Sequence, residues 1–104
     1  MIVEMRTYTL HPGQSANYLR LYEAEGLATQ TRILGKLVGY YSSETGDVNQ
    51  VIHLWAYDDF AERQKRRAAL WAEPVWLAYV PKVGPLIVSQ QSKILNPASF
   101  SPLP

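Results

Sequence analysis

Three features of the sequence predict an α+β domain with a four-stranded antiparallel sheet. Four segments have strand character. Helical stretches lie between the first and second and between the third and fourth. Gly, Pro and Asp/Asn punctuation separates them. The order is β-α-β-β-α-β, the split β-α-β arrangement of the ferredoxin-like fold. Its first and third strands are central, and right-handed crossovers put both helices on one face of the sheet.

Residues 2–10 are rich in Val, Thr and Tyr without an internal breaker, and Pro12-Gly13 ends them. A helix is predicted from Ser15, as N-cap, to Ile33. Tyr18, Leu19, Tyr22 and Ile33 fall near one stripe, Gly26 interrupts it, and Gly35 is the C-terminal stop. Strands over 37–44 and 49–57 flank a hairpin turn at Thr45-Gly46-Asp47-Val48. Asp58-Asp59 caps a helix running to Trp71. Pro74 opens a short helix to Val80, closed by Pro81 and Pro85. A fourth strand covers 86–95, and residues 96–104 form an irregular tail.

The 104 residues make one domain, and 47% hydrophobic with 18% charged residues is an ordinary globular composition. A net charge of +1 gives no general pull toward nucleic acid or anionic membrane. The absence of cysteine removes disulfides, thiolate metal sites and a thiol nucleophile. The charged opening residues lead us to expect neither a signal peptide nor a targeting extension, and no apolar run in the sequence is long enough to span a bilayer. The expectation is a cytoplasmic protein.

Strand alternation sorts the side chains into two faces. Val3, Met5, Thr7 and Thr9 form one set in the first strand; Glu4, Arg6 and Tyr8 form the other. In the third strand the sets are Ile52, Leu54 and Ala56 against His53, Trp55 and Tyr57. The aliphatic sets are expected beneath the helices, and the charged and aromatic sets on the bare face. An even-numbered hairpin loop puts Tyr40 opposite His53, Val38 opposite Trp55, and Gly39 opposite Leu54 under the helices. A bare face of Glu4, Arg6, Tyr8, Tyr40, His53, Trp55 and Tyr57 is poor as naked surface, so a homodimer through that open face is expected.

The sequence resembles the NIPSNAP family in residues 5–13 (MRTYTLHPG), 36–40 (KLVGY), 49–57 (NQVIHLWAY) and 100–102 (FSP). The resemblance implies a dimeric α/β barrel, made of two ferredoxin-like sheets. That group includes cofactor-free monooxygenases, lactone isomerases and haem-degrading enzymes, but fold membership confers none of these activities.

His53, mid-strand among aromatics, is the candidate catalytic residue, as a proton shuttle near neutral pH. The competing reading is a structural histidine bonded to Tyr40 or Glu4. Arg6 is the candidate anchor for a carboxylate or phosphate, with Glu4 as base or orienting acceptor; alternatively the two form a plain ion pair. Tyr8, Tyr40, Trp55 and Tyr57 are candidate stacking partners for a flat ligand, or cross-strand packing. Arg63, Lys65, Arg66 and Arg67 read as the solvated basic end of a helix that starts with Asp58, Asp59 and Glu62. Trp71, Trp76 and Tyr79 read as core or interface. His11 and His53 with scattered carboxylates show no metal-ligand spacing, and no cofactor motif is present. The expected function is binding of a small anionic or aromatic molecule, with proton transfer or cofactor-free oxidation as the chemistry. The alternative is a protein-interaction scaffold whose barrel is packed solid.

Overall fold

The computed structural model describes residues 1–103. Pro104, the end of the expected tail, lies outside them. Four strands, β1 (Ile2–Leu10), β2 (Lys36–Ser42), β3 (Gln50–Tyr57) and β4 (Ile87–Leu95), form one sheet in the order β2-β3-β1-β4. Every pairing is antiparallel, with β1 and β3 central. This is the ferredoxin-like topology the sequence predicts. The thinnest dimension is 19 Å, which suits one sheet covered by a single helical layer.

The first helical body runs from α1 (Ser15–Leu21) through a π turn (Tyr22–Gly26) into α2 (Leu27–Leu34). The expected break at Gly26 is thus a widened turn inside a continuing helix. A Cβ on Gly26 would lie 3.0 Å from the Tyr22 and Tyr79 rings, so the bare glycine lets two buried aromatics close over the backbone. Gln14, not Ser15, occupies the N-cap position. Gly35, at φ 95°, makes the stop its sequence position suggests.

α3 (Phe60–Leu70) begins with a reciprocal cap. Asp59 accepts from the Glu62 amide at 2.8 Å, and Glu62 accepts from the Asp58 amide at 2.9 Å. α4 (Pro74–Val83) carries Pro74 in its first turn but does not end at Pro81. That proline sits inside the helix, which continues to Val83 and a short 3₁₀ turn at Gly84–Leu86. Residues 96–103 contain no helix or strand.

In the β2–β3 ladder Tyr40 faces His53 and Gly39 faces Leu54, as the even loop requires. A bulge at Val38 brings Leu37, not Val38, opposite Trp55.

The face assignment is the reverse of the one expected from patterning. Trp55, Tyr57, Val51 and Leu10 pack with Tyr18, Tyr22, Leu34, Leu70, Trp76 and Tyr79 of the helices in one core. Arg63 of α3 reaches Glu4 of β1 at 2.9 and 3.0 Å. The charged and aromatic set therefore lies under the helices. By alternation, Val3, Met5, Thr7 and Thr9, with Ile52, Leu54 and Ala56, turn to the opposite, open face, where Val3 and Ala56 are nonetheless buried. Gly39 belongs to that open face too, where a Cβ would fall 2.7 Å from Cε2 of Tyr41. The Tyr41 ring thus lies across the glycine and is itself 57% exposed.

Candidate functional site

Inverting the face changes what the predicted residues touch without scattering them. Glu4 has no exposed surface. Its carboxylate accepts from Arg63 Nε and Nη2, from Arg6 Nη1 at 2.9 Å and from Ser92 Oγ at 2.6 Å. Burial alone would raise its pKa. The bonds from Arg63, Ser92 and Arg6 outweigh that and pull it down to about 2. Glu4 is thus a fully engaged anion with no free oxygen for use as a base. Arg6 spends its Nε on the Tyr8 hydroxyl at 3.0 Å.

His53 is 1% exposed. Tyr40 stacks on it, with centroids 4.5 Å apart and planes 10° apart, and Tyr8 meets it edge-on at 4.9 Å. Trp55, two residues along the same strand face, donates its indole N–H to His53 Nδ1 at 2.7 Å. Indole nitrogen only donates, so Nδ1 is an acceptor and the proton of the neutral ring is on Nε2. Burial, reinforced by the Arg6 charge, lowers the His53 pKa to about 3, so the ring is neutral at physiological pH. Nε2 is buried and has no hydrogen-bond partner among the described residues.

A cavity of about 100 Å³ lies between the sheet and the helices. By the same measure a water needs roughly 10–15 Å³, so there is room for a small solute. Of the seven predicted residues, Arg6, Tyr8 and His53 border it. Glu4, Tyr40, Trp55 and Tyr57 stand behind them: Glu4 holds the arginines, Tyr40 and Trp55 fix the His53 ring, and Tyr57 is core.

The rest of the wall comes from helical residues, chiefly Tyr18 of the expected helix stripe, Arg67 of the basic run expected to be solvated, and Trp76 and Tyr79, expected in core or interface. Trp76 Nε1 and the Tyr79 hydroxyl are buried without partners, as is His53 Nε2. Burial first, then neighbouring tyrosines, raises the pKa of Tyr18 and Tyr79, so both keep their phenolic protons. Arg67 is half-buried, and its side chain forms no hydrogen bond or ion pair among the described residues. Burial and the like charges of Arg6 and Arg63 push its pKa below the usual value, yet an arginine stays charged. One signal was available. Arg63, Arg67 and Leu70 share a helical face by 4- and 3-residue spacing, and Leu70 is the buried residue of α3.

Among the described residues, no three His, Asp or Glu side chains group as a metal site requires. No helix there is long and apolar enough to cross a membrane.

Fold and cavity together define a ferredoxin-like α+β domain with a cleft of mixed polar and apolar lining between its two layers. An antibiotic biosynthesis monooxygenase structure shares this fold with a TM-score of 0.66, covering 94% of this chain and 99% of its own; at 14% identity the likeness concerns the fold alone. The chain belongs to the NIPSNAP family, which it matches over residues 3–102. A NIPSNAP family protein from Agrobacterium tumefaciens is 46% identical, with a TM-score of 0.97 over 99% of this chain and 93% of that one. Protein NipSnap homolog 2 of Danio rerio is 36% identical over 98% of this chain but 35% of its own length. The chain therefore spans about a third of that curated relative, and 19% of a Caenorhabditis elegans one.

Proposed function

We propose that this domain binds a small anionic molecule in the cleft between its helices and sheet, with Arg67 as the anchor. The observation that carries this reading is the unpaired state of Arg67 at the cavity wall. Taking a guanidinium partly out of water is unfavourable unless an anion meets it. The nearby carboxylate is already committed, because Glu4 serves both Arg6 and Arg63. Three guanidinium groups against one carboxylate leave the site with an excess of positive charge. A carboxylate or phosphate oxygen supplies what is missing, and Arg presents a fork suited to either.

The test is calorimetric titration with butyrate. Arg67→Ala is expected to weaken binding about tenfold or more, somewhat less than the roughly thirtyfold at the low end for a fully buried charge pair, because Arg67 is only half-buried. The variant is also expected to be as stable as the parent or slightly more so, because an unpaired charge has been removed. Unchanged butyrate affinity in Arg67→Ala would sink the proposal. A solid scaffold is the weaker alternative, since the space beside His53 is not filled by Tyr8, Tyr40 or Trp55.

In the same reading a second copy covers the open sheet face. Met5, Ile52, Leu54 and the exposed Tyr41 lie there, opposite the helices, as an aliphatic and aromatic patch. Native mass spectrometry at micromolar concentration is expected to give a species of twice the 11.8 kDa chain mass. A strictly monomeric spectrum overturns the pairing.

A further inference from the structure

The lining of the cleft is unbalanced in a way that narrows the ligand further. His53 Nε2–H and Trp76 Nε1–H are buried donors without acceptors, the Tyr79 hydroxyl is buried with neither donor nor acceptor, and Arg67 adds an unengaged guanidinium. The acceptors at the wall are largely spoken for. Gln30 Oε1 takes the Tyr22 hydroxyl at 2.6 Å, and Gln90 Oε1 faces Arg6 Nη2 at 3.4 Å. The Tyr18 hydroxyl is engaged with that of Tyr40 at 3.0 Å. The third nitrogen-bearing wall residue of the sheet, Arg6, is held by Glu4 and Tyr8.

We infer, resting on the anion reading above, that the cleft selects a short oxo-carboxylate, whose carboxylate meets Arg67 and whose carbonyl oxygen accepts from His53 Nε2–H. A carbonyl brings acceptor capacity and no proton. A hydroxyl in the same place brings a further proton to a wall where the unengaged donors of His53, Trp76, Tyr79 and Arg67 already outnumber unengaged acceptors such as the Tyr79 oxygen, and an unsatisfied buried donor is penalised. The Trp55 bond makes the His53 donor permanent. Reversing the tautomer would set the Nδ1 proton against the indole proton. The charged groups around the ring, Arg6, Arg67 and Glu4, and the Tyr8 and Tyr40 rings packed on it do not change this assignment near neutral pH. His53 therefore polarises a carbonyl and does not take up a proton, and with Glu4 fully bonded the cleft holds no carboxylate base.

Three probes of equal chain length separate the possibilities: butyrate, 3-hydroxybutyrate and acetoacetate, titrated into the full chain labelled with ¹⁵N at histidine. Acetoacetate is expected to bind about tenfold or more tighter than either of the others, the discrimination expected for one unsatisfied buried group. It alone is expected to move the His53 Nε2–H resonance, and Nδ1 is expected to report an unprotonated nitrogen throughout. If all three bind alike and Nε2 stays still, the oxo-carboxylate inference fails while the anion site stands. Preference for 3-hydroxybutyrate, or a proton on Nδ1, overturns it as well. If none of the three binds, the anion reading fails and the inference falls with it.

Discussion

At pH 4 the folded state is expected to have lost about 4 kcal/mol of the stability it has at pH 7. Two buried groups account for the loss. Both have folded pKa values below their ordinary ones: His53 at about 3 against 6.5, and Glu4 at about 2 against 4.5. In each case the unfolded chain binds a proton that the folded chain refuses. The stability is thus present above the ordinary pKa and is lost as pH falls toward the folded one. At about 1.4 kcal/mol per pKa unit, His53 loses roughly 3 kcal/mol between pH 7 and pH 4, and Glu4 roughly 1. Domains of this size have about 5–15 kcal/mol in hand, so the loss is a large fraction of the total. The order of events is testable. Between pH 6.5 and 4.5 the decline belongs to His53, and Glu4 joins below that range. Urea unfolding at steps from pH 7 to pH 4 measures the slope. His53→Gln, which still offers Trp55 an acceptor, is expected to flatten the upper part of the decline and leave the lower part. A parent protein equally stable at pH 7 and pH 4.5 rules out a buried neutral His53.

The fold was legible from the sequence because its cues are local. Pro12-Gly13, Gly35 and Asp58-Asp59 fix element ends through backbone conformation and capping, and the even loop fixes Tyr40 opposite His53. The sequence places a helix end at Val80, but Pro81 falls within α4, and the helix runs on for two more residues to Val83. The two faces of the sheet are the reverse of what strand patterning predicts. Patterning assumes that the more aliphatic set meets the helices. Here the helices supply Tyr18, Tyr22, Trp76, Tyr79 and Arg63, so the better complement to them is the aromatic and charged set of the strands. The aliphatic set, Met5, Ile52 and Leu54, is left for the open side. Residues that share a strand face stay together whichever way the sheet is turned, which is why the predicted group survived the inversion. What alternation could not supply is the helical half of the cleft. Arg67 sits in a basic run whose order suits the helix dipole, and only the position of Leu70 marks which of those side chains turns inward.

Glu4→Gln is expected to be the most damaging conservative substitution in the chain, costing about 3–5 kcal/mol, the range for removing one member of a buried charge cluster. The amide fills nearly the same space, so the loss isolates charge and hydrogen bonding from packing. Arg6 and Arg63, with side chains 12% and 14% exposed, would then face each other with no anion between them. One of their bonds would also meet an amide N–H in place of an oxygen. The damage should be conditional on the arginines. In a double-mutant cycle, Glu4→Gln in an Arg63→Met background is expected to cost markedly less than in the parent. The resulting coupling energy is expected near the upper end of the 0.5–3 kcal/mol seen for networked residues. Urea denaturation of the four proteins at pH 7 measures it. Additive losses would mean that Glu4 holds β1 to β4 through Ser92 alone, and that the bridge from Arg63 to the sheet contributes nothing to the fold. A large coupling instead makes Glu4 the counter-charge that allows guanidinium groups to be gathered beneath the helices at all. On that account the positive field at Arg67 is stable only because its two neighbours are neutralised. The Glu4→Gln protein, where it folds, should therefore bind butyrate more tightly than the parent, since the same ligand now answers three uncompensated cations.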